Sequence, residues 1–116
     1  MNKCIISGRL TKHAVVNGGD KKALKFTVAS KYGYDTKANE GKGADRIEFV
    51  PCVLFTEPND KLGIFLAGEG KGVFVEFEGR FSTSKYEKDG ETKYNSEVIV
   101  DKRTFNIITN PKHDKR

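Results

Sequence analysis

Tryptophan is absent from the 116 residues, methionine occurs once, and there are only two cysteines and two histidines. Cys4 and Cys52 each fall on the core-facing side of a strand pattern, which reads as two buried, reduced thiols. No Cys-x-x-Cys pair or Cys/His cluster offers a zinc site. His13 and His113 stand alone, and neither is given a role. No apolar run approaches the roughly 18 residues that a membrane span needs. The opening "MNKCIISGRL" lacks the apolar segment and small-residue cleavage site of a signal peptide. Both absences lead to the expectation of a cytoplasmic protein without a membrane partner. A P-loop, a G-x-S-x-G elbow and any carboxylate–histidine grouping are missing as well. The expectation is a non-enzyme with no metal and no cofactor.

What is present is charge. Lys and Arg number 21 against 16 Asp and Glu, a net charge of +5. Such an excess favours an anionic partner. Length points to one domain.

Period-2 alternation dominates, so the chain reads as all-β. In "NKCIISGRL", Cys4, Ile6 and Leu10 share a face. "TKHAVVNGGDKK" reads as a loop with a Gly-Gly turn. In "ALKFTVASK", Leu24, Phe26 and Val28 point one way and Lys25, Thr27 and Lys31 the other. "YGYDTKANEGKGAD" is polar and aperiodic and reads as a long loop or loose hairpin tip. "RIEFVPCVLF" is apolar on both faces: Val50, Cys52 and Leu54 on one, Ile47, Phe49, Val53 and Phe55 on the other. Two readings stay open there, a strand buried on both sides or an aromatic platform for a ligand. Pro51 belongs at an edge or bulge.

"EPNDKLGIFLAGEGKG" is the one helix expected. Pro58 suits its first turn, Leu62, Phe65 and Leu66 form its apolar stripe, and the glycines at 68, 70 and 72 end it. In "GVFVEFEGRFSTSKY", Val73, Val75, Phe77, Gly79 and Phe81 alternate inward, with Gly79 at a bend or close approach. Asp-Gly in "KDGE" signals a hairpin. "TKYNSEVIVDKRTFNII" reads as a single fifth strand. Three strands, a short helix and two strands match a five-stranded OB-fold barrel with long β-hairpin extensions. Its domain spans 1–108, followed by a basic, disordered tail at 109–116.

Aromatic and basic residues interleave on the outward faces. Unpaired bases need flat apolar surfaces to stack on and cations to follow the phosphates. The stacking candidates are Tyr34, Phe49, Phe55 and Tyr86, with Tyr32, Phe74 and Tyr94 as further exposed aromatics. The phosphate candidates are Lys25, Lys31, Arg46, Arg80, Lys85, Lys88 and Lys93. The competing structural readings place Phe49 and Phe55 in a core, Phe74 in an oligomer contact, and Tyr94 across the hairpin from Tyr86.

"MNKCIISGRLTK", "FVPCVLF" and "VFVEFEGRFSTSKYEKDGETKYNSEVIVD", in that order, resemble the bacterial-type single-stranded DNA-binding protein family. The resemblance covers about Asn2 to Ile107. It implies an OB fold, a homo-oligomer that is usually a tetramer, and sequence-tolerant binding of single-stranded DNA in replication, recombination or repair. By position it assigns the family's stacking aromatics to Phe49, Phe55, Tyr86 and, with Tyr32 as the alternative, Tyr34. Two departures stand out. The final "NPKHDKR" is basic where the family carries an acidic tip, so recruitment of the family's partner enzymes is not expected. The helix is also weaker than the family's. Both suit a phage, plasmid or mobile-element version. The alternatives are a primosomal replication-restart adaptor, an RNA-binding OB module and a ligand-free structural oligomer.

Overall fold

The computed structural model describes residues 1–16, 23–57 and 59–110. Among these described residues, seven strands and one α-helix follow in order: β1 Cys4–Leu10, β2 Val15–Val16, β3 Ala23–Asp35, β4 Ala44–Phe55, α1 Lys61–Glu69, β5 Phe74–Lys88, β6 Glu91–Val100 and β7 Asn106–Thr109. Along the sheet β1, β3, β4, β6 and β5 are neighbours, and β5 returns to pair with β1. That closes a five-stranded barrel, with β2 added to β3 and β7 added to β5. The all-β OB expectation is met.

Inward alternation builds the core. Leu10, Leu24, Phe26, Val28, Cys52, Leu54, Val73, Val75, Phe77, Val98 and Val100 are all buried. At one end Phe26 meets Phe77 and Phe105 edge-on, at 6.1 and 6.2 Å between ring centroids, while Phe77 and Phe105 stack at 5.7 Å. Both cysteines are free thiols. Burial, with help from Glu97 and then Cys4, pushes the Cys52 thiol up to about 12. It therefore stays protonated and packs as a small hydrophobe.

Helix α1 contributes Leu66 to the core, with Leu62 and Phe65 packed against it. Asp60 caps it, one carboxylate oxygen accepting from the Leu62 N–H at 2.8 Å. The other oxygen pairs with Lys102 from the turn after β6. Pro58 lies outside the described residues. Gly68 is inside the helix rather than ending it, and Gly70 closes it in ordinary right-handed geometry. His13 accepts a hydrogen bond at Nδ1 from the Lys71 N–H, 3.1 Å, tying the loop after β1 to the helix end.

The Asp60 contacts make a pH prediction. The Lys102 hydrogen bond, followed by the Leu62 N–H, lowers the Asp60 carboxyl to about 2. A carboxyl depressed in the folded state adds stability above its unfolded value of 3.8, and that contribution fades as pH falls. Melting temperature should therefore drop between about pH 4 and 2. Asp60→Asn, which keeps a capping oxygen but cannot titrate, should flatten that part of the curve.

Four elements differ in part or whole from the sequence expectation. The polar stretch after Lys31 is the hairpin tip of the two readings offered, but more of it is strand than expected: β3 continues to Asp35 and β4 starts at Ala44, leaving a turn with a 3-10 segment at Asn39–Gly41. Ion pairs Lys31–Asp45 (2.9 Å) and Asp35–Arg46 (3.8 Å) join the two strands. Both faces of this extension meet water, so no apolar alternation marks it. Next, the segment expected as one fifth strand breaks after Val100. Asp101 caps a 3-10 turn at Lys102–Thr104, and β7 then pairs with β5. The Thr104 hydroxyl holds that turn by accepting from the Glu78 N–H at 2.8 Å. Third, Val15 and Val16, in the segment expected as a loop, form β2 and pair with Lys25 and Leu24 of β3. Finally, Phe81 is half-exposed rather than inward, because β5 and β6 leave the barrel beyond Gly79 as a free two-stranded arm.

The Asp-Gly turn is as expected: Asp89 and Gly90 both have positive φ, 54° and 78°, the I′ geometry of a tight hairpin. Gly79 is a close approach, where a Cβ would stand 2.5 Å from the Ile99 carbonyl oxygen. Pro51 precedes the point at which β6 joins β4 at Cys52, so that side of β4 is an edge there. The Gly-Gly turn and the residues from Pro111 onward, including most of the expected tail, lie outside the described residues. Strand β7 extends to Thr109, just past the expected domain end.

Candidate nucleic-acid interface

Residues opposite one another in a ladder share a face of the sheet. On β3 and β4 the pairs Ala23–Phe55, Lys25–Val53, Thr27–Pro51, Ala29–Phe49 and Lys31–Ile47 form one outer face. Val53 lies beside Ile99 of β6, and Ile99 beside Arg80 of β5. From there the same face runs up the arm through Ser84–Asn95, Tyr86–Lys93 and Lys88–Glu91. One continuous surface thus carries Lys25, Lys31, Phe49, Phe55, Arg80, Tyr86, Lys88 and Lys93.

The aromatics stand free on it. Phe49 is 63% exposed, Phe55 52% and Tyr86 47%. The outer side of β4 is therefore not packed into the core of this chain: it is an open aromatic face on which Val53 alone is buried. Phe49 and Phe55 are six residues apart, about 20 Å at strand rise. Where β4 and β6 splay apart, a groove of about 290 Å³ opens, lined in part by Lys12, Lys25, Thr27, Pro51, Asn95 and Glu97.

A bulge decides the fate of Tyr34. The β3–β4 register shifts between Lys31 and Gly33, so Tyr34 pairs with Asp45 and returns to the Lys31 face. Its hydroxyl donates to the Lys42 carbonyl at 3.1 Å. The ring lies over Gly43, where a Cβ would come within 2.7 Å of Cε1. Tyr34 is therefore both half-exposed and an anchor for the hairpin end. Tyr32, the extra residue of the bulge, is 63% exposed.

Two candidates lie elsewhere. Arg46 pairs with Gly33 and Lys85 with Tyr94, so each is on the opposite face of its hairpin. Tyr94 faces away from Tyr86 and cannot pair with it; Lys93 occupies that position. Phase alone held this information, since Lys85 is one residue from Tyr86 and Arg46 three from Phe49. The same phase places Ile47, half-exposed, between Phe49 and Lys31 on the platform. Phe74 is partly buried beneath the Arg9 guanidinium, 5.4 Å from the ring centroid.

The balance of charge differs between the sides of the barrel. Lys31 is paired with Asp45 and Lys93 with Glu91. Lys25, Arg80, Lys85 and Lys88 have no ion-pair partner among the described residues. The β1–β5 side instead presents Glu76 and Glu78, the latter held by Lys3 at 3.3 Å. Among the described residues no group of three His, Cys, Asp or Glu could hold a metal ion, and no helix is long and apolar enough to cross a membrane.

A closed OB barrel with a basic, aromatic outer face defines the class. Its family is shown by comparison with known proteins. The profile of the single-strand binding protein family matches residues 1–106. The chain is 34% identical over 102 residues to Single-stranded DNA-binding protein 2 of Streptococcus agalactiae serotype V, covering 85% of this chain and 72% of that protein. It is 28% identical over 106 residues to the single-stranded DNA-binding protein of Staphylococcus epidermidis, covering 90% and 76%. The chain belongs to the single-strand binding protein family. The fold matches that of a Plasmodium falciparum SSB solved in complex with ssDNA, with TM-score 0.64, 18% identity and 93% of each chain covered. It also matches the mitochondrial single-stranded DNA-binding protein of S. cerevisiae, with TM-score 0.58, 19% identity and coverage of 93% and 95%.

Proposed function

We propose that this protein binds single-stranded DNA without catalysis and with little sequence preference, sheltering exposed strands during replication, recombination or repair in the cytoplasm. The observation that carries this reading is the exposure of Phe49 and Phe55 on the face that also holds Lys25, Lys31 and Arg80. Bases stack on Phe49, Phe55, Tyr86 and Tyr34, while Lys25, Lys31, Arg80, Lys88 and Lys93 neutralise phosphates. Lys85 and Arg46 serve a strand only where it wraps round a hairpin. The basic residues of 109–116 add a weak, salt-sensitive attraction.

We further propose a homo-oligomer, most simply a tetramer made of two dimers. Strand β1 pairs with β3 only at Arg9 and Leu10. Its Cys4–Ser7 stretch has no β3 partner, and Ile5 is 74% exposed. Open edges attract a partner strand, and a second copy supplies one with two-fold symmetry.

The test is fluorescence anisotropy with single-stranded DNA, duplex and RNA oligomers at two salt concentrations. A duplex hides the base faces, so single strands should bind far more tightly. Log affinity should fall against log salt with a slope of about −0.7 per phosphate contacted. Equal affinity for duplex and single strand would refute the reading.

A further inference from the structure

Strands β1 and β5 pair antiparallel as far as Cys4 and Gly79. Continuing that register, the position opposite Phe81 belongs to residue 2. The main chain of Asn2 does not continue the ladder; its side chain does. The Asn2 Nδ2 donates to the Phe81 carbonyl at 2.7 Å, and the Asn2 Oδ1 accepts from the Phe81 N–H at 2.9 Å. The carboxamide thus presents the same donor and acceptor that a neighbouring strand would. From Ser82 to Lys88, β5 is paired with β6 alone. Phe81 is therefore the last point at which the barrel grips the β5 strand of the arm, level with Val98, the last β6 residue paired to β4.

On its β5 side the arm has no other brace at its root among the described residues; on the β6 side Val98 and Ile99 pair with Cys52 and Val53 of β4. Gly79, where it departs, has no side chain, and β6 approaches too closely there to admit one. The arm then carries Tyr86, Lys88 and Lys93 outward. Tyr86 is five residues beyond Phe81, about 17 Å of strand, so a swing of about 10° at the root moves its ring by about 3 Å.

We infer that the Asn2 side chain is a latch that sets the angle of the β5–β6 arm, and so is a positioning residue for the single strand. This rests on the DNA-binding reading above. Asparagine is suited to the task because aspartate lacks the donor and alanine lacks both groups.

Asn2→Ala and Asn2→Asp, each compared with the full wild-type chain, test the inference. Without DNA, NMR amide exchange at Phe81 should speed up about tenfold in Asn2→Ala, consistent with loss of one net hydrogen bond. It should rise less in Asn2→Asp, which keeps the acceptor. With DNA, an oligothymidine of about 16 nucleotides, long enough to reach the arm, should lose about tenfold in affinity. One of about 5 nucleotides, confined to the barrel face, should bind as to the wild type. A merely structural role would instead lower the melting temperature and weaken both oligomers together, and that result overturns the inference. Unchanged exchange at Phe81 overturns the latch. Faster exchange with an undiminished long-oligomer affinity overturns the positioning role. If the wild type shows no preference for single strands, the DNA reading fails and takes the positioning role with it, while the exchange data still judge the latch.

Discussion

Replacing Phe49 and Phe55 together with alanine should weaken single-strand binding by about 2–6 kcal/mol, from about 1–3 kcal/mol for each base that loses its stacking partner. The two rings are about 20 Å apart along β4, far enough that their losses should add. The fold should hardly notice. Both rings are more than half exposed, and their cross-strand neighbours are the small Ala29 and Ala23. Anisotropy titration with an oligothymidine, beside a thermal melt of the same preparation, separates the outcomes. If the double variant melts much lower and its folded fraction binds normally, the rings are structural and the platform reading is wrong.

The barrel was legible because each of its strands has one wet and one dry face. Leu24, Phe26 and Val28, or Val73, Val75 and Phe77, recur every second residue and are buried as that period requires. The Asp-Gly turn was legible for a different reason: its geometry depends on two residues and not on the rest of the chain. The hairpin extensions were legible as hairpins, but the strand content of the β3–β4 one was not. From Tyr32 to Asp35 the strand meets water on both faces, so its sequence has no reason to alternate. The bulge at Tyr32 then changes which side Tyr34 occupies, and register comes from pairing rather than local pattern.

Alternation also says which face a side chain is on and not whether anything covers it. Phe77 and Phe81 are in phase, yet one is buried and the other half-exposed, because the barrel ends between them. The same limit left Phe49 and Phe55 with two readings until the neighbours of β4 were known. For the cations, phase was available and decisive. It separates Arg80, Lys88 and Lys93, which share the Tyr86 face, from Lys85, which does not. Asn2 could not have been found this way, since its role depends on meeting Phe81, 79 positions along the chain.

Phe26→Ala should have the opposite signature to the platform variants. Phe26 is 5% exposed and sits edge-on to both Phe77 and Phe105. Truncating a buried phenylalanine costs about 3–5 kcal/mol, from lost transfer energy and the cavity left behind. Each aromatic pair adds about 0.5–1.5 kcal/mol beyond burial. A domain of this size has about 5–15 kcal/mol in total, so a large share of its stability is at stake. The damage should also spread in a particular direction. Phe105 lies between the Lys102–Thr104 turn and β7, and it stacks on Phe77 of β5. With Phe26 gone, the Phe77–Phe105 stack loses the ring that both meet edge-on, and β7 should loosen from β5 before the barrel opens. Urea denaturation measures the global loss, and amide exchange at Ile107 and Thr109 reads the local one. At concentrations of denaturant where the variant remains folded, its affinity for single strands should match the wild type, because Phe26 faces away from the platform. A folded Phe26→Ala protein that binds tenfold more weakly would mean that core and platform are coupled, and that phenylalanines on opposite faces of this barrel do not have separable roles.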